Sequence, residues 1–242
     1  MTVGIGFLSY GLAAAGFLLL ALLLAISWEG RAQGVRLVAA CAVTAAWAGV
    51  LAAGSGFVQL GSDVVLLVEF VRYGAWFIAL TGLTQGAGIA QGIGRIAHLT
   101  WVGCIVLLLG SPLLVGLGLN LPEPAGILGH AGLLLALLGL ILLEQIYRNA
   151  REQGRYALKF FVFATGLMFA YDLFLYSQTQ LTKDVDIVTW DARGIVFLLM
   201  VPLLAIAARR NPQWSLNVFV SRHVVFYTTS FMVVGAYLLL MA

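Results

Sequence analysis

The stretch VLLVEFVRYGAWFIAL, residues Val65–Leu80, decides the fold. Most of it suits hydrocarbon, yet Glu69 and Arg72 stand inside it, three residues apart. A charge at mid-bilayer costs at least about 2.5–3.5 kcal/mol on insertion scales, so such residues face the interior of a bundle and find partners there. On a helix, three residues is close to one turn, so the two side chains share a face. The stretch therefore reads as a membrane helix with one polar stripe, and that stripe requires other helices around it.

Composition and the rest of the chain agree. Of 242 residues, 62% are hydrophobic and only 10% charged, against roughly 25% charged in a soluble domain. Eight apolar runs stand out, at about 5–28, 36–58, 64–86, 97–118, 126–147, 158–180, 189–208 and 224–242. At a rise of about 1.5 Å per residue, each can cross a hydrocarbon core of roughly 30 Å. Helices satisfy their own backbone hydrogen bonds, which lipid cannot do. The runs do not alternate polar and apolar residues, which argues against a barrel. The expected fold is all-α: a polytopic bundle of about eight transmembrane helices forming one domain, residues 1–242, with the lipid bilayer as its surroundings. Residues 1–28 lack a basic leader and hold a longer apolar run than a signal peptide does, so they read as a retained first span.

The loops set the orientation. With strict alternation, one side receives Arg31, Arg36, Arg95, Arg148, Arg151, Arg155, Lys159, Arg209, Arg210 and Arg222; the other receives Lys183 and, at a helix mouth, Arg193. That asymmetry makes the first side cytoplasmic and the N-terminus external. The basic residues form no patch, so the net charge of +3 does not point to nucleic acid. The external segment TKDVDIVTWDARG reads as the longest outer connection, with Trp190 as an interface anchor.

Four charges share the outer half of the membrane. Arg72 lies about 13 Å from the outer face and Asp172, in FAYDLFLYSQ, about 12 Å, with Glu69 a turn shallower. Arg193 sits at the outer mouth of the seventh span. Arg72 can bridge Glu69 and Asp172, because guanidinium offers five donors in a planar fork. Tyr73, Tyr171 and Tyr176 can add hydroxyls. Three roles fit such a core: fixing helix register, holding a ligand or signal, or passing a proton or ion.

Other motifs carry no chemistry. The glycine-rich QGAGIAQGIG, residues 85–94, follows a membrane span and lacks the Lys–Ser/Thr of a phosphate loop, so it reads as a cytoplasmic turn. His98, His130 and His223 fall on opposite membrane faces and cannot form one metal site. No GxSxG, HExxH or metal-spaced CxxC is present. Cys41 and Cys104 lie in different apolar spans and read as small packing residues. Glu144 and Arg148 read as an interfacial i,i+4 pair, and the small residues of AACAVTAAWAGVLAAGSG as a close-packing surface. No catalytic, metal or cofactor site is expected.

The C-terminal part is more specific. LLEQIYRNAREQGRYALKF, FAYDLFLYS and ARGIVFLLMVPLLAIAARRNPQWSLNVFVSRHVVFYTTS, within residues 141–242, resemble the membrane region of the PrsK family. These are sensor histidine kinases associated with the PEP-CTERM/exosortase system of Gram-negative bacteria. The E-x-x-R-x-G-A-W pattern of Glu69 to Trp76 fits as well. The resemblance implies a multi-pass sensory domain of the inner membrane. It would act as a homodimer and pass an envelope signal to a cytoplasmic kinase core in the same parent chain, and through that core to a response regulator. No phosphoacceptor box or ATP-lid motif occurs in these residues, so no enzyme activity is expected of the chain itself. The apolar stop at Ala242 suggests a piece of a longer protein. Within this reading Arg209, Arg210, Pro212, Trp214 and Arg222 form a cytoplasmic coupling segment: Pro212 ends the seventh helix, and Trp214 and Phe219 hold the segment after it flat at the inner interface. The competing reading is a small-molecule or ion transporter built on the same buried charges.

Overall fold

The structure, a computed structural model, describes residues 4–26, 32–83, 88–116, 124–150 and 152–210. Among these, seven long helices follow one another: α1 (Ile5–Ile26), α2 (Ala32–Gly56), α3 (Ser62–Leu83), α4 (Gly88–Gly116), α5 (Pro124–Asn149), α6 (Glu152–Thr182) and α7 (Ile187–Arg210). All seven are long and apolar enough to cross a membrane, so the chain is a multi-pass helical membrane protein. The expected eighth span, with Pro212, Trp214, Arg222 and His223, lies outside the described residues.

Packing does not follow chain order throughout. Helix α1 packs on α2 and α7, α2 on α3, α3 on α5, α5 on α6, and α6 on α7. Six helices thus close into a ring, while α4 lies outside it against α3 and α5. The ring's centre is filled by large side chains, among them Trp47, Trp76, Tyr10, Tyr73, Tyr176, Phe70, Phe169 and Phe197. Leucines and isoleucines on the far side of α1 (Ile5, Leu8, Leu12, Leu19) and apolar residues of α4 (Leu99, Val106, Leu109) are exposed. On a membrane protein that is the surface that meets lipid, whose tails are as apolar as leucine.

Three tryptophan N–H groups link neighbouring helices, two of them at the level of Glu69 and Phe70. Trp47 Nε1 of α2 donates to Glu69 Oε1 at 3.0 Å, and Trp76 Nε1 of α3 to Thr44 Oγ1 of α2 at 3.0 Å. Trp101 Nε1 of α4 donates to the Phe70 carbonyl of α3 at 2.6 Å. These bonds give each polar ring edge a partner where no water can supply one.

Several boundaries differ from the hydropathy reading. Helix α6 begins at Glu152 and ends at Thr182, longer at each end than the apolar run, because a helix can continue past the hydrocarbon into polar sequence. Helix α4 begins at Gly88, so most of the glycine-rich segment is helix and not turn. The supposed long outer loop shrinks to Lys183–Asp186, since α7 starts at Ile187. Its start is capped by Asp186, whose Oδ2 accepts the Thr189 backbone N–H at 3.2 Å and whose Oδ1 accepts that of Val188 at 3.3 Å. These bonds satisfy helix N-terminal donors. At the opposite end of the bundle α5 and α6 nearly abut. There Arg155 caps α5 by donating to the carbonyls of Ala150 (3.1 Å) and Arg148 (3.0 Å).

Candidate functional site

Spacing on three helices assembles the polar core. On α3, Glu69, Arg72, Tyr73 and Trp76 follow an i, i+3, i+4, i+7 pattern and all point inward, fully buried. On α6, Asp172 and Tyr176 are one turn apart and share a face. On α7, Arg193 and Phe197 do the same. Arg193 is not at the helix mouth, as the hydropathy reading expected. It stands six residues into α7, about 9 Å along the axis, and its side chain is 0% exposed.

The four charges alternate in sign around a closed circuit. Arg72 Nη2 lies 2.8 Å from Glu69 Oε2 and 2.8 Å from Asp172 Oδ2. Arg193 Nη1 lies 2.6 Å from Glu69 Oε1, and its Nη2 lies 2.7 Å from Asp172 Oδ1. Further bonds complete the carboxylates: Arg193 Nη2 to Glu69 Oε2 (3.0 Å), Arg193 Nε to Asp172 Oδ1 (2.8 Å) and the Tyr73 hydroxyl to Asp172 Oδ2 (2.9 Å). With Trp47 on Glu69, each of the four carboxylate oxygens has at least two donors against it. The circuit carries two positive and two negative charges and is neutral as a whole, which is how four ionised groups can share a dry site.

Aromatic faces enclose the cations. The Arg72 guanidinium carbon is 4.7 Å from the Trp47 ring centre, 4.6 Å from Tyr73 and 5.1 Å from Phe197. That of Arg193 is 4.9 Å from Trp47, 5.6 Å from Tyr176, 5.4 Å from Trp190 and 5.6 Å from Phe197. Distances under about 6 Å permit cation–π attraction. Among the described residues Arg72 Nε and Nη1 have no hydrogen-bond partner, and the aromatic rings lie against that guanidinium. Trp190, half-buried in the first turn of α7, also lies over Arg193.

A second set of bonds fastens the start of α7. The Tyr10 hydroxyl donates to the Trp190 carbonyl at 2.6 Å, the Ser9 hydroxyl to the Asp191 carbonyl, and the Tyr171 hydroxyl to the Thr189 carbonyl at 2.8 Å. Tyr171 thus serves α7's first turn and not the charge circuit. The reason is angular: neighbours on a helix point about 100° apart, so Tyr171 cannot follow Asp172 inward. Gly194 makes the α1–α7 approach possible, since a Cβ there would fall 2.5 Å from the Ser9 carbonyl carbon and 2.6 Å from the Tyr10 nitrogen.

The other expected residues lie elsewhere. Arg209 and Arg210 occupy the last turn of α7. Arg210 stacks over Tyr156 (5.0 Å) and Phe160 (4.5 Å) of α6. Glu144 and Arg148 pair at 2.7 Å near the end of α5. Cys41 and Cys104 are free thiols. Among the described residues no three His, Cys, Asp or Glu side chains are grouped to hold a metal ion. Trp47, Tyr10 and Ser9 were missed by the sequence reading. The available signal was Trp47 itself, a large donor-bearing ring inside a run of alanines and glycines. No family model matches the chain, and neither a curated protein nor a solved structure shows recognisable similarity to it.

Proposed function

We propose that this chain is the membrane-embedded sensory domain of a bacterial two-component histidine kinase, carrying an envelope signal to a cytoplasmic kinase core of the same parent protein. The observation that carries the proposal is the course of α7. One helix holds Arg193 in the outer polar circuit and continues to Arg209 and Arg210 at the inner face, where Arg210 rests on α6. Pro202 lies within that helix, between the two ends, and an interior proline removes a backbone hydrogen bond and favours a bend. A change of packing around Arg193 would therefore reach the inner face through one covalent rod with a single soft point. The likeness of residues 141–242 to the PrsK family supports the same reading.

In this mechanism the circuit has two packings, and a signal shifts their populations only by its differential affinity for them. The parent protein works as a homodimer in the inner membrane and passes phosphate from its kinase core to a response regulator. Reading the source gene beyond codon 242 is the first test. A continuing frame with a kinase core supports the reading; a stop codon sinks it. The second test is kinase output in membranes bearing Arg72→Met. A stably inserted variant should be locked or biased, and unchanged output with an unchanged signal response would count against the switch.

A transporter reading draws on one specific observation, the two unpaired donors of Arg72, as a place for a small anion. Uptake of a radiolabelled anion by proteoliposomes, abolished by Arg72→Met, would favour it over the sensor.

A further inference from the structure

A cavity of about 280 Å³ opens between the inner ends of α3 and α4, lined by Thr81, Gln91, Gly94, Arg95 and His98. It is remote from the charge circuit and on the opposite half of the bundle. Its chemistry is one-sided. No acidic residue occurs in the sequence between Glu69 and Glu123, and Glu69 is committed to the circuit. Arg95 is exposed and, among the described residues, has no carboxylate partner. Arg95 is thus the one cation in the cavity's lining, which holds no carboxylate.

The cavity also has a defined wall and a defined exit. Thr81 packs against Gly94, where a Cβ would fall 2.7 Å from its methyl carbon, so the two helices touch at the cavity's floor. His98 Nδ1 lies 2.7 Å from the Gly94 carbonyl. A carbonyl only accepts, so Nδ1 carries the proton and a neutral His98 presents Nε2 as an acceptor. Arg95, Leu99, Val102 and Val106 recur at i, i+4, i+7 and i+11, one face of α4. The last three are exposed. A cationic cavity at the membrane surface therefore continues into an apolar stripe running toward mid-bilayer.

We propose that this cavity holds the headgroup of an anionic, hydroxylated phospholipid of the inner leaflet, of the phosphatidylglycerol type. The phosphodiester sits on the Arg95 guanidinium and the Gln91 amide, a headgroup hydroxyl donates to His98 Nε2, and the acyl chains lie along Leu99, Val102 and Val106. The volume suits a headgroup and not a whole lipid, being near the lower bound of about 300 Å³ for ligand clefts. Basic pockets between helices on the cytoplasmic side are where anionic headgroups bind.

Native mass spectrometry of the full chain tests this after exchange into detergent mixed with phosphatidylglycerol or with phosphatidylcholine. Wild type should retain phosphatidylglycerol and release phosphatidylcholine. Arg95→Gln should weaken retention roughly tenfold, the loss of one charge-assisted contact, while Arg209→Gln, on the same membrane face, should leave it unchanged. Should Arg95→Gln fail to insert, His98→Phe reports on the same cavity and should also weaken retention. Equal retention of both lipids, or equal loss in Arg209→Gln, overturns the proposal. Displacement of the lipid by inorganic phosphate would assign the cavity to a soluble anion and overturn it as well.

Discussion

Glu69 and Asp172 each face both arginines, so no pair in the core is isolated. Removing one member leaves an uncompensated buried charge, and breaking a buried pair in this way costs about 3–5 kcal/mol. Arg72→Met should therefore lower stability by about that amount in detergent unfolding experiments. The double variant Glu69→Gln/Arg72→Met removes one charge of each sign and restores neutrality. It should lose less than the sum of the two single variants, and strict additivity would refute the coupling. Trp47→Phe keeps a ring under both guanidinium groups but deletes the N–H to Glu69; a loss of roughly 1.5–3 kcal/mol is expected for a bond to a charged group. At this scale the sequence was informative about charge and weak about partners. Four ionised residues in apolar runs announce themselves. That Arg193 reaches both carboxylates depends on where α7 begins, and IVTWD reads as loop until Asp186 is seen as its cap.

Two helix ends lend themselves to test. Lys183 closes α6 with φ of 59°, a left-handed conformation that costs a side-chain-bearing residue about 1–2 kcal/mol and that glycine adopts freely. Lys183→Gly should raise the midpoint of thermal unfolding slightly. At the start of α7, the Thr189 hydroxyl, then the Thr189 and Val188 backbone N–H groups, hold the Asp186 carboxyl below its usual range. A depressed folded-state value stabilises the cap above the unfolded-state value, and that contribution is lost as pH falls through the folded one. Asp186→Asn should flatten this acid-side loss, and an unchanged pH profile would deny the cap its part. Hydropathy located these helices but not their ends, because it registers the segment immersed in hydrocarbon, while α4 and α6 run on into polar sequence.

At the scale of the molecule, ring closure between α1 and α7 is the feature that no local pattern announced. It rests on Ser9, Tyr10 and Gly194 meeting across nearly the whole described chain. Gly194→Leu should prevent that approach and give a protein that inserts but unfolds at lower temperature. The orientation can be checked separately in a background lacking Cys41 and Cys104. A cysteine at Lys183 should react with an impermeant thiol reagent on intact cells, and one at Arg209 only after permeabilisation; the reverse pattern would invert the topology. The peripheral place of α4 was equally hidden, since its apolar run resembles those of the ring helices.

The alternating circuit has an electrical consequence. A transmembrane voltage does work of roughly 2.3 kcal/mol per elementary charge per 100 mV. Two positive and two negative charges at nearly one depth sum to zero, so the membrane potential exerts no net force on the core when it moves as a body. Only relative motion is felt. If α7 slid inward alone, Arg193 would carry one positive gating charge through the field, while Asp172 and Glu69 stayed behind. The assembled circuit thus acts as an electrical insulator for the bundle: it lets the outer half answer to packing and contact while remaining indifferent to the energised state of the membrane.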